Sequence, residues 1–146
     1  VITSCNNPKQ VAQSEDNMTT ADQPTQAPFD STIVEKYWKL VTLYGQPVTM
    51  GEEQEREAHF ILKDGGKVNG YSACNTLNGS YQLEEGYRII FKDIAVTMRI
   101  CPESETEQKF LEALNTADNF SHYGDTLTLN KARMAPLAVF EAVYFN

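Results

Sequence analysis

With 146 residues, 41% of them apolar and 10% aromatic, the chain can build one ordinary domain with a real core but not two large ones. Twenty acidic residues against twelve basic ones leave a formal charge of −8, which argues against nucleic acid or anionic lipid as a partner of the protein surface. No apolar run approaches the roughly 18 residues of a membrane-spanning helix.

The chain divides at about residue 30. Val1-Ile2-Thr3-Ser4-Cys5 ends on an apolar residue, two small residues and a cysteine. This resembles the lipobox of bacterial lipoproteins, in which the cysteine is acylated and becomes the mature N-terminus. Residues 1–5 are therefore expected to be the remnant of a lipoprotein signal, with Cys5 as the lipidation site. The basic and long apolar parts of a signal peptide are absent, so the expectation is a truncated precursor. Asn6 rather than Asp follows the cysteine, which resembles an outer-membrane sorting signal. Residues 6–30 are mostly Asn, Gln, Ser, Thr and Pro, with no aromatic before Phe29. Such a segment buries too little apolar surface to offset an ordering cost of roughly 1–2 kcal/mol per residue, and it reads as a flexible tether. At roughly 5–6 Å × √n it would let the domain sample about 25–30 Å from a bilayer. The globular domain is expected to span 31–146.

From Glu35 to Tyr44 the chain is aromatic and β-branched, a strand that Gly45 ends. Residues 51–56 read as a polar loop. Glu57–Lys63 alternates, with Ala58, Phe60 and Leu62 on one face. Asp64-Gly65-Gly66 predicts a tight hairpin turn into Lys67–Ser72. A loop over Cys74–Gly79 is expected before a strand at Ser80–Leu83. A turn at Glu84-Glu85-Gly86 follows, and then a strand with Tyr87, Ile89 and Phe91 on one face. Phe120–Tyr123, the turn Gly124-Asp125 and Thr126–Asn130 form a third hairpin, and a last strand is expected from about Ala135 to Phe145.

One helix is predicted over 104–117. Ser104-Glu105-Thr106-Glu107 fits a capping box, in which the Ser104 hydroxyl and the Glu107 carboxylate satisfy each other's backbone N–H groups. Phe110, Ala113, Leu114 and Ala117 form an apolar stripe, with Lys109, Glu112 and Thr116 off it. The expected fold class is mainly β (α+β): a single-domain antiparallel β-roll or cracked barrel of about eight short strands, with one amphipathic helix packed on it.

Catalytic signatures are nearly absent: no G-x-S-x-G, no H-E-x-x-H, no P-loop and no dinucleotide fingerprint. No cofactor and no catalytic or metal-ligating set is predicted. His59 and His122 sit in separate predicted strands and read as surface or hydrogen-bonded residues. The acidic run Glu52, Glu53, Glu55, Glu57 lacks the pattern of a calcium loop and reads as solvated. If Cys5 is acylated, Cys74 and Cys101 remain as a pair, without the C-x2-C spacing of a zinc site. Two free thiols would suit a cytosolic protein, and a disulfide an oxidising compartment. A bond closing 26 intervening residues would stabilise the fold by roughly 3–4 kcal/mol.

The stretch Asn69–Tyr81 resembles the G-x-x-G-C-N-x-x-x-G-x-Y signature of the META/HslJ domain family through Gly70, Cys74, Asn75, Gly79 and Tyr81, with Ala73 in place of the usual Gly. Thr97-Met98-Arg99-Ile100-Cys101-Pro102 is similar to that family's T-x-M-A-C segment, with Ile100 in place of Ala. Trp38-Lys39-Leu40, the Gly45–Val48 turn, the F-L-x-A-L helix, Leu127-Thr128-Leu129 and Leu137–Phe140 occur in the family's order, covering about residues 35–145. The resemblance implies a small antiparallel β domain with one helix, in bacterial envelope or secreted settings and often as a lipoprotein. It supplies no reaction. Trp38, Gly70, Cys74, Asn75, Gly79, Tyr81, Thr97, Met98 and Cys101 are carried over as structural positions, and Cys74 and Cys101 are expected to form a disulfide. If the family Gly has φ > 0, Ala73 carries a steric cost.

Two readings of function follow. The first is a non-enzymatic lipoprotein of the envelope, with its domain in the periplasm or at the surface. It would be monomeric, would touch the membrane only through Cys5, and would bind an unknown protein or a small apolar or lipid ligand. The second is an enzyme, or an enzyme inhibitor, acting on envelope polymers or proteases. A cleft with converging carboxylates would favour an enzyme, and a filled interior with protruding loops an interaction module or inhibitor.

Overall fold

The computed structural model describes residues 31–145 apart from Glu53. Cys5, the signal remnant and the tether lie outside the described residues.

After a 3-10 turn at Ser31–Ile33, nine antiparallel strands follow: β1 (Tyr37–Leu43), β2 (Gln46–Pro47), β3 (His59–Lys63), β4 (Lys67–Tyr71), β5 (Thr76–Glu84), β6 (Arg88–Val96), β7 (Asn119–Tyr123), β8 (Thr126–Asn130) and β9 (Ala138–Val143). One helix, α1 (Ser104–Thr116), connects β6 to β7. The fold is mainly β, as the hairpin pattern predicts. Neighbours in sequence pair in turn, and β9 returns to pair with β1, so the strands run round a ring. The ninth strand is β2, a two-residue partner of β1 across the Tyr44-Gly45 turn.

The ring is thinnest between β6 and β7. Only Arg88 and Asn119 face each other there, with Phe120 N–H donating to the Tyr87 carbonyl at 2.9 Å. The α1 helix packs against β6 and β1, which lie on opposite sides of the ring, so it crosses the opening. Its buried residues are Phe110, Ala113 and Leu114, with Ala117 buried just beyond its end, and these are the predicted stripe. The Phe110 ring meets Phe140 at 5.9 Å and Phe60 at 6.4 Å, and Phe60 meets Phe140 at 4.5 Å. Trp38 completes this core and donates its indole N–H to the Ile33 carbonyl at 2.8 Å. These side chains fill the inside of the ring.

Several boundaries differ from the sequence expectation. The segment Cys74–Gly79 is not all loop: β5 begins at Thr76, because Thr76, Leu77, Asn78 and Gly79 pair with β4. Tyr87 is not a buried strand residue. Glu84 and Arg88 face each other, so residues 85–87 form the turn, and Tyr87 takes φ 62° with its ring exposed against Phe120. The last strand is shorter than Ala135–Phe145, since residues 135–137 form the connection from β8.

Gly70 and Gly79 are required for close approach of strands. A Cβ on Gly70 would stand 2.2 Å from the His59 carbonyl oxygen, and one on Gly79 would stand 2.5 Å from Ile94 Cδ1. Tyr81 is anchored by its hydroxyl, which donates to the Lys63 carbonyl at 2.7 Å.

Candidate functional site

The capping box predicted at the start of α1 does not form. Glu103 is the N-cap residue, without a side-chain hydrogen bond, and the Glu107 carboxylate turns away from the helix. It accepts hydrogen bonds from the Ser72 hydroxyl and from Asn75 Nδ2 (2.9 Å). The physical reason is burial. Ser72 and Asn75 are almost fully buried. A buried donor without an acceptor costs about 1–3 kcal/mol, whereas the N-terminal amides of an exposed helix can turn to water.

Asn75 organises the site. Its Oδ1 accepts from the Arg99 N–H (2.7 Å) and from the Thr97 hydroxyl (2.8 Å). Its Nδ2 donates to the Arg99 carbonyl (3.2 Å) and to Glu107. Both donors and both acceptor sites of the amide are used, which suits a residue only 1% exposed. Thr97 is also held by β5: its N–H donates to the Thr76 carbonyl and its hydroxyl accepts from the Thr76 N–H, both at 3.1 Å.

On either side of this clamp, Cys74 and Cys101 form a disulfide, with Cα atoms 5.8 Å apart. The segment Thr97–Cys101 is thus fixed at Thr97, at Arg99 and at Cys101. Between these points Met98 and Ile100 stand 90% and 98% exposed. Met98 therefore does not take the structural role carried over from the family motif. The row Ile94, Val96, Met98, Ile100 alternates like a strand with one apolar face, but β5 begins at Thr76, opposite Thr97. Met98 and Ile100 have no sheet to pack on. Arg99, between them, points its guanidinium at Glu55, 3.5 Å away.

The sequence alone marks Asn75, Thr97 and Cys101 as motif positions and Glu107 as a capping residue, but does not single out Ser72, Arg99 or Ile100. A usable signal exists for the last: two aliphatic residues two apart in a polar stretch that ends in Cys-Pro.

Ala73 opens the turn at this site and has φ 90° while buried. A side chain in the left-handed region costs roughly 1–2 kcal/mol. Ala73→Gly is therefore expected to raise stability by about 1 kcal/mol, read as an upward shift of the denaturation midpoint; a drop would show that the Ala73 methyl packing outweighs the strain.

His59 is buried, stacked on Tyr37 with ring centroids 4.1 Å apart, and its Nδ1 lies 2.9 Å from the Glu57 carbonyl. Burial lowers its pKa. The Tyr37 hydroxyl donates to Glu57, and burial pushes its pKa well above the ordinary value. These are packing and hydrogen-bonding roles. Among the described residues no group of three His, Cys, Asp or Glu side chains is placed to hold a metal. An apolar surface groove of about 360 Å³ lies elsewhere, between the β1–β2 turn and the β8–β9 connection, lined by Tyr44, Met134, Pro136 and Leu137 among others.

A family model, the META domain, matches residues 31–144. The chain belongs to the META domain family. The chain is also similar to solved structures. One is an NMR structure of a protein from Burkholderia xenovorans (21% identity, TM-score 0.60, covering 87% of this chain and 96% of that one). Another is a crystal structure of a DUF4847 family protein from Bacteroides vulgatus (18% identity, TM-score 0.56, 76% and 94%). A further NMR structure matches at 18% identity with a TM-score of 0.61, covering 76% of this chain and 92% of that one. At these identities the likeness concerns the fold. The chain matches no curated protein sequence. Within the META domain, the signature G-x-x-x-C-N and the T-x-M-x-C segment meet in space: Asn75 and Cys74 of the first hold Arg99 and Cys101 of the second.

Proposed function

We propose that this META protein is a non-enzymatic, monomeric envelope protein, anchored through an acylated Cys5 at the outer membrane, that binds a protein partner with its Thr97–Cys101 loop. One observation carries the reading: two aliphatic side chains at least 90% exposed stand on a backbone fixed by a disulfide and by a buried amide. Met98 and Ile100 stand two residues apart on one loop, and apolar groups exposed together, unlike singly scattered ones, mark an interaction site. Their fixed backbone lowers the ordering cost of binding. The filled ring supports a protein rather than a lipid held inside it, since Trp38, Phe60, Phe110 and Phe140 occupy that space. The disulfide favours an oxidising compartment, in keeping with the envelope, and the lipobox-like Cys5 supplies an anchor.

The reading is tested in the native host with the full precursor. A photo-cross-linking residue at position 98 should yield a discrete protein adduct, and one at Gln108 on the outer face of α1 should not. Equal or absent adducts at both positions would contradict the loop. The wild-type chain should partition into detergent with added acyl mass, and Cys5→Ala should not. If both behave as soluble proteins without added mass, the anchor fails.

A further inference from the structure

We infer that the partner received by this loop is an endopeptidase, and that residues 97–101 lie in its cleft as a substrate-like inhibitory segment; the inference rests on the loop being the contact surface. The argument begins with the direction of the backbone groups. In an extended chain the N–H and C=O of one residue point to one edge, and those of its two neighbours point to the other. The N–H and C=O of Arg99 both point into the body, where the Asn75 amide takes them as a paired strand would. The main-chain groups of Met98 and Ile100 therefore point outward. None of the described residues donates to them or accepts from them. No residue of this segment has φ > 0. The body thus offers an extended segment with unused main-chain pairs and two protruding side chains.

That combination matches what a peptidase cleft binds: an extended chain paired through its backbone, with side chains in pockets. Two outward residues are too few to extend a flat sheet edge, where strands run to about 5–6 residues. They are enough for a concave cleft that takes a few residues. The chemistry of the protruding side chains sets the kind of peptidase. Met98 and Ile100 fit an apolar specificity pocket, whereas the Arg99 carbonyl is taken by the buried Asn75 amide, so the bond after the basic residue is not presented to an acidic one. The fixation also explains inhibition in place of turnover. If the Met98–Arg99 bond, whose carbonyl faces outward after an apolar residue, is hydrolysed, water adds across it, leaving a carboxylate on Met98 and an ammonium on Arg99. β5 still holds Thr97, and Asn75 and the disulfide still hold Arg99 and Cys101, so both new ends stay in the cleft.

The oxidised full chain is titrated against chymotrypsin, pancreatic elastase and thermolysin, which accept aliphatic residues, and against trypsin as the basic-pocket control. Competitive inhibition of at least one of the first three is expected, with a Ki on the order of 1 μM or lower, and none of trypsin. It should weaken by about 100-fold in Met98→Asp/Ile100→Asp and persist in Gln108→Ala. The inference is overturned if none of the three is inhibited at about 100 μM. It is also overturned if the double variant inhibits equally, or if the loop is cut as fast as in the reduced, unfolded chain. A cross-link at position 98 without inhibition removes the peptidase and leaves the binding loop standing. Loss of both removes the loop as well.

Discussion

Phe110→Ala is expected to cost about 3–5 kcal/mol of stability. Phe110 is fully buried on α1, and its ring packs against the contacting pair Phe60 and Phe140 on the two strands that flank β1. Truncation removes the ring's transfer free energy and leaves a cavity that its two aromatic neighbours cannot close. Leu114→Ala, one turn further along, should cost roughly 2–5 kcal/mol, and Gln108→Ala on the exposed face should stay within about 0.5 kcal/mol. Denaturant titration checks all three. Comparable losses for Phe110 and Gln108 would mean that the helix does not close the ring as described. A domain whose whole stability is about 5–15 kcal/mol could be left largely unfolded by the Phe110 change.

The second large effect belongs to the disulfide. Cys74→Ala/Cys101→Ala is expected to lose roughly 3–4 kcal/mol, the loop-closure value for a bond between residues 27 apart. Measured in the oxidised state, the double variant should unfold at a clearly lower denaturant concentration, and added reductant should bring the wild type to the same midpoint. No change on reduction would show that Asn75 and Glu107 alone secure this corner. The bond connects the turn before β5 to the segment after β6, so its loss should leave α1 and the remaining hairpins folded, with the Met98–Ile100 segment the first to loosen.

The hairpins were legible because their signals are local. Gly65 and Gly66 take φ 102° and 92° at the β3–β4 turn, which other residues adopt only at a cost. The stripe of α1 was legible for a similar reason, since Phe110, Ala113, Leu114 and Ala117 lie within two turns. The direction of Glu107 was not. Spacing within the helix pairs it with Ser104, and only the fold brings up Ser72 and Asn75, 35 and 32 residues away, as better partners. Met98 was misjudged by the same limit. It was carried over from the family motif as a structural position, and nothing in the motif states that the partner strand begins opposite Thr97. Tyr87 shows the opposite error: its phase fits the β6 row, but a three-residue turn claims it.

The loop is argued to be both exposed and rigid, and backbone 15N relaxation at Met98 and Ile100 tests that pairing most directly. Exposure alone predicts mobility, whereas anchoring at Thr97, Arg99 and Cys101 predicts order. In the oxidised protein both amides should have order parameters near about 0.85, the level of rigid backbone, and Asn75→Ala should lower them below about 0.6. Wild-type values already below about 0.6 would contradict a preformed binding segment, whatever the loop is later found to touch.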